Sequence, residues 1–212
     1  MARPRSDIAP RIVHAARGRF LAEGVDGASL RRIAEAAGTN IGMVYYYFPS
    51  KDDLFLAVVE EVYVALLADL AIALAPERPV QERLTALYQR LGALSPDELL
   101  VLRIVVREVL AQPARLASLI DRFRRGHLPM ILTLVKDAYA QNVFDPSIPP
   151  ALALFSMMML GGPTQAIIQT LRDRLPLPPV SPGPALSTQL TQILLQGVGK
   201  RSPWPARARK RL

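Results

Sequence analysis

Three features of this 212-residue sequence predict an all-α fold. Apolar residues make up 50% of it, and Ala and Leu outnumber the β-branched types, a balance that favours helix. Apolar positions recur at three- to five-residue spacing, with no strand-period alternation of useful length and no internal repeat. Gly24, Pro49, Pro76 and Pro79 fall at the ends of these periodic stretches, where they stop helices without interrupting them.

The elements follow in order. Ile8, Ile12, Val13, Ala16, Phe20 and Leu21 give a one-sided first helix ending at Gly24. Ser29 is placed to cap a short second helix, Leu30–Ala37, with Leu30, Ile33, Ala34 and Ala37 on its inner face. Gly38 stands where a left-handed residue closes a helix. Asn40 can cap a third short helix from Ile41 to about Tyr47, and Pro49 stops it. Ser50-Lys51-Asp52-Asp53 reads as a cap with acidic first-turn residues, opening a longer fourth helix. On it Leu54, Val58, Val62, Leu66 and Leu70 form a continuous stripe. Further helices are expected at about 80–93, 96–111, 114–141, 151–172 and 185–198, with Gly161-Gly162-Pro163 kinking the stretch 151–172. The proline-rich segment 176–184 reads as a linker, and the basic tail 200–212 as disordered.

Charge is concentrated at the two ends. Residues 1–51 carry +4, residues 52–199 carry −2 and residues 200–212 carry +6, within a net charge of +8. That distribution is the footprint of a polyanion binder. Several function classes drop out of the expectation. There is no cysteine, and His14 and His127 are isolated, so neither a thiolate nor a histidine-cluster metal site is expected. No Gly-rich phosphate loop, paired-histidine motif or nucleophile elbow appears, so the chain is expected to be no enzyme, with no catalytic residues and no cofactor. Arg3, Arg5, Asp7 and Arg11 without an apolar stretch do not read as a secretion signal, and no segment has the ~18 uninterrupted apolar residues of a membrane span. A cytoplasmic protein with no membrane contact is expected.

Residues 29–48 carry the chemistry. Two short helices around Gly38-Thr39-Asn40 have the dimensions of a helix-turn-helix, whose second helix enters the major groove. Ile33, Ala34, Ala37, Val44 and Phe48 would pack the pair, and Gly42 would remove a side chain where the helix nears the duplex. Thr39, Asn40, Ile41, Met43, Tyr45, Tyr46 and Tyr47 are then left facing outward. Tyrosine suits this position, because its ring covers sugar and thymine methyl while its hydroxyl donates to phosphate.

Ile33-Ala34, Ala37-Gly38, Gly42, Tyr45, Phe48, Lys51 and Leu54 resemble the N-terminal signature of the TetR family of bacterial transcriptional regulators, over about residues 6–66. The turn reads Gly-Thr-Asn where Gly-Val-Ser is frequent, and Tyr47 stands where histidine is common. The resemblance implies a DNA-binding domain over 6–66, a helical ligand-binding and dimerisation domain over 67–199, and the basic tail beyond. It implies backbone contacts from Ser29, Tyr45, Tyr47 and Lys51, a phosphate or guanine contact from Arg31, and Ile41, Gly42 and Met43 facing the bases. Tyr46 would sit at the rim. It further implies a homodimer through about 151–172 and 185–198, a palindromic operator in double-stranded DNA, a small-molecule effector, and repression relieved through the fourth helix. The competing reading is a nonspecific, nucleoid-type DNA binder using its basic ends.

Overall fold

The computed structural model describes residues 7–171 and 184–198, and the tail 200–212 and most of the linker 176–184 lie outside them. The described chain is helical, without a strand. It divides into two compact units, each with its own interior.

The first unit joins the chain up to Asp69 with Leu94–Leu128. It contains α1 (Ile8–Gly27), α2 (Leu30–Ala36), α3 (Ile41–Tyr47), most of α4 (Lys51–Ala73), α6 (Pro96–Ala111) and α7 (Pro113–Arg124). Ile12, Phe20, Ile33, Val44, Leu54, Phe55, Val58, Ile104 and Leu119 fill one shared core. Each such side chain removed from water contributes about 1.5–3 kcal/mol, so α6 and α7 are integral to the interior that supports α1–α3. Both helices fall within the expected residues 67–199, yet they pack with the N-terminal helices.

The second unit joins Leu70–Ala93 with the described residues from Pro129 onward. Here α5 (Val80–Gly92) packs on α10 (Gly162–Leu171) and α11 (Pro184–Val198), and α9 (Pro150–Leu160) packs on α10 and α11. Its interior includes Leu84, Tyr88, Leu134, Phe144, Met157, Leu190 and Leu194.

Two breaks refine the expected helices. α1 continues past Gly24, but that residue has φ +78° and kinks it, and the Ala28 N–H closes the last turn onto the Gly24 carbonyl. The expected stretch 114–141 is two helices, α7 and α8 (Leu128–Ala140), parted at Arg125-Gly126-His127. The cause is tertiary: the Tyr63 hydroxyl occupies the space a side chain at 126 would need, and it binds His127. The interruption at Gly161 separates α9 from α10 as the Gly-Gly-Pro sequence predicts.

Candidate nucleic-acid interface

The α2–turn–α3 unit is built from local signals. The Ser29 side chain accepts from the Arg32 N–H at 3.5 Å, opening α2. Gly38 closes it at φ +63°, a left-handed conformation that a Cβ disfavours. Asn40 Oδ1 accepts from the Met43 N–H at 3.0 Å, opening α3. Gly42 sits beside this cap, and a Cβ there would crowd Asn40 Oδ1 at 3.2 Å. Val44 is the one fully buried residue of α3, packed with Ile33, Ala34 and Ala37 of α2 and its C-cap. Ser50 and Asp53 bond reciprocally, Asp53 N–H to Ser50 Oγ and Ser50 N–H to Asp53 Oδ2, both at 3.0 Å, starting α4.

With Val44 turned inward, the helical period turns the following residues outward. Tyr45 is 53% exposed and Tyr46 75%. Tyr47 is half-buried, edge-on to Tyr46 and tilted against Phe48. Ser29, Thr39, Ile41 and Met43 are half-buried, while Arg31, Asn40 and Gly42 are exposed. The three tyrosines are therefore inequivalent, and Tyr45 and Tyr46 present the larger free surfaces.

Lys51 has a different setting. Its Nζ donates to the Asp26 carbonyl at 2.6 Å, tying the start of α4 to the end of α1. The Asp26 carboxylate in turn pairs with Arg115 and accepts from Gln112 Nε2 at 2.9 Å. Its carboxyl is held below the usual range, first by the Arg115 hydrogen bond.

Arg115 is the centre of a cluster that sequence reading missed. It reaches Asp26, Asp52 at 2.8 Å and Glu108 at 2.5 Å, and Glu108 Oε1 accepts the Val25 N–H at 3.1 Å. Arg107 Nη1 adds a bond to the Leu21 carbonyl at 3.3 Å. The end of α1 and the start of α4 are thus gripped by charged groups of α6 and α7. A second grip lies further along α4. Glu60 takes a two-point bond from Arg122 at 2.6 and 2.7 Å, and that guanidinium stacks 4.3 Å from the Tyr63 ring centre.

The sequence pattern of the family described as "Bacterial regulatory proteins, tetR family" matches residues 12–58, which span the three helices and the start of α4. Residues 12–58 are thus similar to the N-terminal DNA-binding domain of that family. The HTH-type transcriptional repressor NicS of Pseudomonas putida is 39% identical over 67 residues, 30% of this chain and 32% of NicS. The HTH-type transcriptional repressor AcnR of Corynebacterium glutamicum is 40% identical over 50 residues, 24% of this chain and 27% of AcnR. The chain thus aligns with about a third of these relatives' length or less. Among solved structures, a tetR-family regulatory protein from Rhodococcus RHA1 superposes with TM-score 0.69 at 20% identity, covering 92% of this chain and 98% of that one. The transcriptional regulator FadR from Bacillus subtilis, in complex with stearoyl-CoA, gives TM-score 0.68 at 17% identity, covering 89% and 98%. At these identities the structures establish a shared fold over nearly the whole chain.

Proposed function

We propose that this chain is a ligand-responsive transcriptional repressor that binds a palindromic operator as a homodimer in the cytoplasm. The observation that carries the reading is α3 itself: a short helix capped at its start, anchored by Val44, and displaying Tyr45 and Tyr46 to solvent. A helix so presented after a tight turn is the geometry of a major-groove reader.

In this reading Tyr45, Tyr46 and Tyr47 donate to phosphates and Ser29 and Thr39 touch the backbone. Arg31 contacts phosphate or guanine. Asn40 uses its acceptor for the cap and keeps its amide donors for an operator partner. Ile41 and Met43 cover thymine methyls, and Gly42 permits close approach. Lys51 reaches phosphate only after leaving the Asp26 carbonyl. The dimer reading is supported by apolar residues exposed in the single chain, namely Leu152, Phe155 and Met159 of α9, Ile167 of α10 and Ile193 of α11. A two-fold pair would set its recognition helices about 34 Å apart on DNA.

Selection of bound fragments from random duplex DNA tests the proposal. A regulator yields a palindromic site preferred by about 10³-fold or more over random sequence. Equal affinity for all sequences with steep salt dependence establishes the nucleoid-type alternative instead.

A further inference from the structure

Arg83 on α5 is one of the most buried side chains of the protein, only 1% exposed, and it carries a charge. Its Nη2 donates to Asp137 Oδ2 of α8 at 2.7 Å. Its Nε and Nη1 are equally buried and meet no acceptor. So the Nε–H and both N–H bonds of Nη1 are buried with nothing to receive them.

Other buried polar groups among the described residues of this unit have partners. The Tyr88 hydroxyl donates to the Met157 carbonyl at 3.1 Å, Gln165 Nε2 to the Tyr88 carbonyl at 2.8 Å, and the Thr191 hydroxyl to the Ser187 carbonyl at 2.9 Å. An unmatched charged donor in the interior is costlier than a neutral one, and a native chain keeps one for a reason. A merely structural pair has no need of it: a lysine would present a compact charge to Asp137, and an apolar pair of similar volume would fill the space without orphan donors.

We propose that Arg83 is the polar anchor of the effector site in the second unit, and that the effector is a neutral, mostly apolar molecule bearing a carbonyl-type acceptor oxygen. The inference rests on the ligand-responsive reading above and names its ligand class. Charge decides that class. Asp137 already balances the guanidinium, so a second full anion would enter the interior uncompensated, whereas a neutral oxygen matches the remaining donors without added charge. Apart from partnered groups such as Gln165 and Thr191, the unit's interior is built of side chains such as Leu84, Leu134, Phe144 and Met157, which suit the apolar remainder of such a molecule.

Titration calorimetry on the full chain with 2-nonanone, nonanoate and nonane tests this. Wild type binds the ketone about tenfold or more tightly than the other two, the difference a hydrogen bond from a charged donor supplies. Arg83→Lys keeps the positive charge opposite Asp137 and loses that preference. If Arg83→Lys folds poorly, the double variant Arg83→Met/Asp137→Leu serves, melting no lower than wild type and showing no ketone preference. Equal binding of all three probes, binding of none, preference for nonanoate, or a ketone preference that survives Arg83→Lys overturns the inference. Operator selectivity is measured alongside. Its presence with no ketone preference sinks the anchor alone, and its absence sinks the regulator reading.

Discussion

Arg115 Nη1 donates to Glu108 Oε2 at 2.5 Å, and the pair is less than a tenth exposed on either side. Removing one partner of such a pair leaves the other charged and buried, at a cost of about 3–5 kcal/mol. Arg115→Met is therefore expected to lower the melting temperature by roughly 10 °C for a chain of this size. Arg115→Met/Glu108→Met, which removes both charges, should recover much of the loss. A single variant that melts like wild type would show that the grip on α1 and α4 is held elsewhere.

His127 sets a pH dependence. The Tyr63 hydroxyl accepts the His127 backbone N–H at 3.1 Å and shares a second hydrogen bond with His127 Nδ1 at 2.7 Å. Burial, and then the Arg122 charge, push the imidazole down from 6.5 to about 4. The folded state binds this proton less readily than the unfolded chain, so stability is complete above pH 6.5 and declines as pH falls toward 4. The loss is about 2 kcal/mol at pH 5 and approaches about 3 kcal/mol only below pH 4. Urea unfolding of wild type at pH 7.5 and pH 5 should show it, and His127→Gln should flatten the difference in that window. Asp26 and Glu60, whose carboxyls are lowered by Arg115 and Arg122, lose their contributions at lower pH still.

Two glycines of α1 should respond oppositely to alanine. Gly24 has φ +78°, and an added Cβ would strike the Arg107 guanidinium. Gly24→Ala is expected to cost about 1–3 kcal/mol. Gly18 lies in the helix with open space around it, so Gly18→Ala should stabilise by about 0.5–1 kcal/mol. Thermal melts of both variants decide this, and a neutral Gly24→Ala would mean that the backbone at 24 relaxes out of its positive φ as well as Arg107 moving aside.

On DNA, Tyr45→Phe and Tyr46→Phe should each weaken operator and random duplex alike by about 0.5–1.5 kcal/mol, because phosphate contacts carry no sequence information. Fluorescence anisotropy against both duplexes measures it. Selective loss at one base pair would move the hydroxyl to a base edge.

Deleting 200–212 removes six Lys/Arg. Nonspecific affinity and the slope of log K against log salt should both fall, with operator preference kept. An unchanged slope would mean the tail contributes nothing to binding.

What was legible in the sequence was local. Ser29, Asn40 and Ser50 act within three residues of themselves, and each forms the cap that its position predicts. The outward display of Tyr45 and Tyr46 follows from the same short-range period. What escaped was made by distance along the chain. Arg115 meets Asp52 and Asp26 across 63 and 89 positions, and no spacing rule announces either pair. The break at Gly126 depends on a hydroxyl 63 positions away, and α6 and α7 join the N-terminal core through contacts of the same kind. Arg83 belongs with them. It looks like an ordinary helix-surface arginine until its burial is known.

Gly42 constrains how this surface can diversify. Any larger residue there presses on the oxygen that starts α3. New base preferences gained at that position would require the Asn40 cap to shift by a few tenths of an ångström, whereas changes at the side chains of Ile41 or Met43 would leave the cap alone. Within a lineage of such proteins, operator choice should therefore drift through the flanking pair while the glycine between them holds still.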